Sequence, residues 1–314
     1  MTEDQPSGAL AGGRPSIGIA MPTNRVRLSG WTVRGLLAEL NRAGCESLWV
    51  NDHLGAFASG SDAYPYSSSG DITWDPHQPQ YEALTSCAFL AAAAGNMRIG
   101  TSVLVLPQRH PIEVAKAAAT LADLAEGRFV LGVGVGWSRR EMAMLGWDPA
   151  TRGRRLDEQL ALIRALWRDG KAAGESGSYA VPDDLIHEPR PHPGQRPPVL
   201  IGGMSRAAHD RVIRHGDGWL AVAPAAADAL DGAGAALAGL RARTPRALAG
   251  VLKIALPEPD PAAAVRAVRQ VRPHRWNDIS FEFDRWDSDA ACAVVAACRS
   301  ALGEEPACPI DRSL

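Results

Sequence analysis

The sequence predicts a single-domain α/β protein built as an eight-fold (β/α) barrel, a TIM barrel, and three observations carry that expectation. Short apolar runs alternate eight times with longer helix-patterned stretches, the order of a parallel sheet with crossover helices. The chain has 314 residues, the length of one such barrel with insertions, and its core needs no staples. Two long irregular connections interrupt the alternation, at 54–78 and 171–197. The first follows a strand, at the barrel end where this architecture carries its active sites.

The elements follow in order. Residues 1–15 are polar and rich in Gly and Pro, and read as a disordered lead without a signal pattern. The barrel is expected over 16–303. Residues 16–21 (SIGIAM) form a first strand, and 31–43 a helix closed by Gly44, a favoured C-cap residue. Residues 47–51 (SLWVN) are a second strand. After the Ser-, Gly-, Tyr- and Pro-rich connection, an Ala-rich helix over 79–94 ends at Gly95. The stretch 98–106 contains a third strand, and 111–125 a helix opening with Pro111, where the missing N–H costs nothing. Residues 129–133 are a fourth strand, followed by a helical region over 138–169 interrupted near Pro149. Strands at 198–201, 218–223, 248–254 and 278–283 then alternate with helices at 205–215, 224–244, 262–272 and 288–302. Residues 304–314 read as a tail.

Composition narrows the function. A net charge of -2 lacks the basic footprint of a nucleic-acid binder, so no such partner is expected. No apolar run reaches the roughly 20 residues of a membrane span. The five cysteines, Cys45, Cys87, Cys292, Cys298 and Cys308, form no CxxC pair, so neither a zinc ribbon nor a thioredoxin motif is expected, and no metal site. Their odd number and scatter fit a reducing cytoplasm.

Four segments at expected strand ends carry chemistry. In Gly132-Val133-Gly134-Val135-Gly136-Trp137 the glycines let backbone approach a phosphate or a planar ring, or else serve tight packing; Trp137 breaks the GxGxxG fingerprint. In Gly202-Gly203-Met204-Ser205 a Gly pair precedes a helix start, where unpaired N–H groups and the dipole favour an anion; the plainer alternative is Ser205 as an N-cap. Asn51-Asp52-His53 places an imidazole where it can exchange protons with a ligand, with Asp52 able to orient it. Thr101 and Ser102 offer hydroxyls, followed by Val103 and by Arg109-His110-Pro111. Trp31, Trp49, Trp74 and Trp137 are candidates to wall an apolar pocket, although Trp49 alternates with Leu48 and Val50 as core would.

Taken in order, 99–111 (IGTSVLVLPQRHP), 127–137 (GRFVLGVGVGW) with Leu145-Gly146, 152–156 (RGRRL) and 199–219 (VLIGGMSRAAHDRVIRHGDGW) resemble the luciferase-like superfamily. That superfamily holds flavin-dependent monooxygenases and enzymes using coenzyme F420, an 8-hydroxy-5-deazaflavin, and the wording is similar to the F420 branch. The resemblance implies that Asp52 and His53 stand at the cofactor's reactive edge. It implies that Ser102 and Val103 form a bulge with a cis peptide behind the central ring, that Gly134, Val135, Gly136 and Trp137 line the cofactor, and that Gly202, Gly203, Met204 and Ser205 hold its phosphate. Some members carry a Glu proton donor just after the glycine loop, where this chain has Trp137. The implied activity is hydride transfer between F420 and a small organic substrate, with His53 moving the proton and Asp52 tuning it. The alternatives are an FMN-dependent monooxygenase fed by a partner flavin reductase, and a flavin-binding protein without turnover. Dimers are common in the family, which makes a homodimer a further expectation.

Overall fold

The computed structural model describes residues 8–10, 13–24, 26–57, 62–65, 67, 69–172 and 177–303. The tail at 304–314 and most of the lead lie outside them. Among the described residues nine parallel strands run β1 (Ser16–Ala20), β2 (Ser47–Val50), β3 (Arg98–Thr101), β4 (Leu104–Val105), β5 (Phe129–Gly134), β6 (Val199–Gly202), β7 (Gly218–Pro224), β8 (Ala249–Leu256) and β9 (Asp278–Phe283). Their order is β3-β2-β1-β9-β8-β7-β6-β5-β4, and a β3–β5 pairing of Ile99 with Phe129 closes the ring. β3 and β4 are the two halves of the strand expected within 98–106, interrupted at Ser102–Val103, so the barrel has eight strand positions.

Helices α1 (Gly30–Arg42), α2 (Ala83–Ala93), α3 (Pro111–Leu124), α4 (Arg139–Met144), α5 (Arg152–Asp169), α6 (Arg206–His215), α7 (Ala227–Ala242), α8 (Pro261–Val271) and α9 (Ser288–Ala301) fill the crossovers. Side-chain caps set several starts: Ser29 accepts from the Thr32 amide, and Asp260 from those of Ala262 and Ala263. α2 begins four residues later than the apolar pattern suggests, because Glu82 rather than Pro79 receives an orphan amide, that of Thr85. The interruption near Pro149 is a 3-10 turn separating α4 from α5.

The two-residue period of the strands sorts their side chains. Leu48, Val50, Leu252, Ile254, Ile279 and Phe281 point outward into the main core against the helices. Ala20, Trp49, Val130, Leu200, Leu220 and Val251 fill the barrel interior. Leu10 joins that interior cluster, and its carbonyl accepts from Asn277 Nδ2 at 2.8 Å. Part of the expected disordered lead is therefore fixed: an apolar side chain there gains more from the barrel interior than from water. No helix of the described residues is long and apolar enough to cross a membrane.

Candidate functional site

The C-terminal end of β2 feeds the chain into Asn51, Asp52 and His53, and each side chain takes a different partner. Asp52 is fully buried and binds Arg109 bidentately, at 2.6 and 2.8 Å, while accepting the Val105 amide at 2.8 Å. Burial pushes the Asp52 carboxyl up against the pull of Arg109; it pushes the guanidinium down, where Asp52 and Glu82 outweigh it. Two close, parallel N–H···O bonds make this an ion pair. The hydrogen bonds of Asp52 go to Arg109 and to the bulge that follows β3, and its link to His53 is one of charge alone.

The carboxylate on His53 is Glu141, from α4. Its Oε2 lies 3.1 Å from His53 Nδ1, and its Oε1 accepts the Leu54 and Gly55 amides. Burial pushes the Glu141 carboxyl up, but the hydrogen bond and charge of His53, the Leu54 amide and Gln108 outweigh it and hold it below the ordinary glutamate range. Being ionised, it can only accept, so His53 carries its proton on Nδ1 and leaves Nε2 for a ligand. The carboxyl absent just after the glycine loop, where Trp137 stands, has a counterpart four residues later, here as an acceptor. Ser138 caps α4, its hydroxyl accepting from the Glu141 amide at 3.2 Å.

Aromatic rings close over this pair. The centroids of Trp74 and Trp137 lie 5.5 and 5.8 Å from the His53 ring, and Tyr64 packs edge-on against both tryptophans at 5.1 and 5.3 Å. Trp74 and Tyr64 come from the long 54–78 connection. The space enclosed beside His53, Phe57, Ile72, Trp74 and Trp137 is about 20 Å³, room for little more than one water molecule. Trp31 does not belong here: it is 84% exposed, on the first turn of α1. Trp49 is core, its Nε1 donating to Ser47 and Asp278 at 3.1 Å.

The Ser102–Val103 peptide is cis, as the resemblance implies. Val103 sits between two of the singled-out glycines. A Cβ on Gly134 would stand 2.6 Å from Val103 Cγ2, and one on Gly202 2.6 Å from Val103 Cγ1. Both are glycine because the Val103 side chain occupies the space a larger residue would need. Gly203 has φ of +115°, which sends the chain into α6, and Ser205 caps that helix with its hydroxyl accepting from the Ala208 amide at 3.2 Å. Met204, Ser205 and Arg206 are exposed, so the start of α6 is open to solvent. Val135 and Trp137 continue the glycine loop at the same barrel end, Val135 packing partly buried against the main core.

The top interior layer of the barrel is polar. Lys253 of β8 is buried, and its ammonium meets Asn51 Oδ1 at 2.9 Å, the Ser102 carbonyl at 3.0 Å and Glu282 Oε2 at 3.0 Å. Asn51 Nδ2 in turn donates to Glu282 Oε1 at 2.5 Å. Glu141, Lys253 and Glu282 were not singled out from the sequence. The available signal was a lone charge inside an apolar strand, VLKIAL for Lys253 and FEF for Glu282. A larger cavity, about 590 Å³, lies at the opposite end among Glu46, Arg98, Arg128 and Arg299, before the strands begin. It holds none of the strand-end motifs, and the functional loops of this fold sit at the other face.

The chain is thus a closed parallel barrel with a His–carboxylate pair and the Val103 bulge at its C-terminal rim. The chain belongs to the luciferase-like monooxygenase family, whose profile matches residues 31–287. It is 32% identical over 178 residues to an uncharacterised protein of Mycobacterium tuberculosis, covering 57% of this chain and 60% of that one. It is 31% identical over 180 residues to the F420-dependent glucose-6-phosphate dehydrogenase of Kineococcus radiotolerans, covering 56% and 48%. These matches span about half to three fifths of the relatives' lengths. A solved F420-dependent secondary alcohol dehydrogenase, in complex with an F420-acetone adduct, superimposes with a TM-score of 0.67 at 14% identity, covering 92% of this chain and 99% of that one. At that identity the likeness is one of fold.

Proposed function

We propose that this protein is an F420-dependent oxidoreductase that moves a hydride between the deazaflavin and a small organic substrate, with His53 handling the proton. The observation that carries the reading is the His53–Glu141 pair, standing at the rim of a luciferase-like barrel next to the Val103 bulge. The residues fit the cofactor: Val103, flanked by Gly134 and Gly202, offers a flat apolar backing for a ring system, and the open start of α6 at Gly203, Met204 and Ser205 suits its phosphate. When bound, F420 supplies a hydride donor or acceptor, and the protein orients it.

Glu141 keeps the His53 proton on Nδ1, so Nε2 takes the proton of an alcohol as it is oxidised. In the reverse direction the imidazolium gives it to the oxygen of a reduced carbonyl. Trp74, Trp137 and Tyr64 exclude water from the exchange, which protects a hydride from side reactions. Relatives that use F420 support the cofactor assignment.

The test is a parallel titration of the purified protein with F420 and with FMN, each oxidised and reduced, read by fluorescence and melting temperature. A ligand that binds only the folded state raises stability by mass action. Selective stabilisation by F420 is the expected result. Stabilisation by reduced FMN alone would replace this reading with the monooxygenase, and binding of neither would leave a protein without this cofactor.

A further inference from the structure

We infer that the substrate accepted beside His53 is an uncharged, apolar carbonyl compound or alcohol, ring-bearing ones best, and that phosphorylated or carboxylated substrates are rejected. This inference rests on the functional reading above and concerns what the same site selects. The first observation concerns the buried cations held by Asn51 and Asp52, the two residues before His53. An ammonium has three N–H donors, and Lys253 spends them on Asn51, the Ser102 carbonyl and Glu282 at 2.9–3.0 Å. Three of the five N–H donors of the Arg109 guanidinium go to the two Asp52 oxygens and to Glu82, the last at 3.1 Å, so its charge already faces two carboxylates. An anionic substrate would have to pull one of these buried cations away from its carboxylate, leaving that carboxylate without its partner.

The second observation is independent and lies in the sequence of the connection that covers the site. Residues 54–78 contain three aspartates, Asp62, Asp71 and Asp75, and no Lys or Arg. It lines the pocket with Phe57, Ile72 and Trp74 among its residues, Tyr64 packs against Trp74, and Asp62 fastens it by accepting the Arg139 and Arg140 amides at the start of α4. Arg140 itself lies over the Phe57 ring, 4.1 Å from its centroid. The connection is therefore acidic in sequence, and a substrate that reaches His53 meets aromatic carbon and the Glu141 carboxylate, with Arg140 held on the Phe57 ring. The rings now pack on each other edge to face, and a flat apolar ligand replaces that packing with like contacts, whereas an anion replaces it with unmatched charge.

The experiment uses the F420-loaded protein and a matched ketone series: acetophenone, 4-acetylbenzoate and 4-acetylphenyl phosphate. Ligand-observed NMR titration gives the affinity of each without turnover, and hydride transfer from reduced F420 is measured separately. Acetophenone is expected to bind at least about tenfold tighter than either anion, and Trp74→Leu to weaken acetophenone by about tenfold in a chain that stays folded and keeps F420 affinity near wild type. Equal or tighter binding of an anion, binding of none of the three, or an unchanged affinity in a folded Trp74→Leu variant each overturns the inference. Selective acetophenone binding without hydride transfer to any ketone of the series counts against the functional reading and leaves the selectivity standing. Hydride transfer that favours the anionic ketones does the reverse.

Discussion

Replacing Glu141 by glutamine changes one property of the site while keeping its size. The carboxylate is 1% exposed and accepts from His53 Nδ1 at 3.1 Å as well as from the Leu54 and Gly55 amides. In the Glu141→Gln variant the side-chain carbonyl oxygen can still accept from those amides, but the new NH₂ then faces Nδ1 as a donor. The imidazole answers by moving its proton to Nε2, the nitrogen that must be free to take a proton from an alcohol. A hydrogen bond to a charged group is worth about 1.5–3 kcal/mol. At 1.36 kcal/mol per tenfold in rate, the expected loss in kcat is about 10- to 100-fold, with F420 affinity within about twofold of wild type. Two assays check this. Steady-state turnover with the best substrate gives the kcat loss. Nitrogen-15 spectra of the histidine rings, which need no substrate, report a His53 tautomer change from Nδ1–H to Nε2–H. Wild-type kcat together with an unchanged tautomer in a folded Glu141→Gln variant would refute the argument that Glu141 sets the state of His53.

Three further outcomes follow from the same geometry. Arg109→Met strands the buried Asp52 carboxylate and is expected to cost about 3–5 kcal/mol, seen as a lowered urea midpoint; a loss below about 1 kcal/mol would mean that the pair contributes little beyond packing. Gly134→Ala sets a methyl 2.6 Å from Val103 Cγ2 and should cost about 1–3 kcal/mol by overpacking, while weakening F420 binding because Val103 must shift; Val103→Ala in the same chain should restore much of the stability. At Asp217 burial pushes the carboxyl up, but Arg196 and Arg164 outweigh it and hold it below its ordinary value of 3.8. Its stabilising contribution is complete above that value and is lost as pH falls through the lowered one. Stability of Asp217→Asn, followed by urea unfolding across the acid range, is accordingly expected to fall less steeply with pH than that of wild type.

Much of this molecule was legible along the chain. Eight apolar runs separated by capped helical stretches leave few arrangements other than a closed parallel barrel, because each strand needs both faces covered and each crossover supplies a helix to do it. The strand-end motifs were legible for the same reason: Asn51-Asp52-His53, the 132–137 glycines and Gly202-Gly203 all stand where an apolar run stops. What each group does there was decided elsewhere. Asp52 and His53 are adjacent in sequence just past the end of β2, yet one meets Arg109 and the other Glu141, 88 residues away. Gly134 and Gly202 are fixed by a valine from the bulge between β3 and β4, and Lys253 by acceptors from three other segments, contacts that exist only once the ring has closed. Local patterning therefore settled the strands, the helices and the end of the barrel that carries the site. Pairing of charges across the closed barrel settled which carboxylate serves the histidine, because that depends on distances no spacing along the chain encodes.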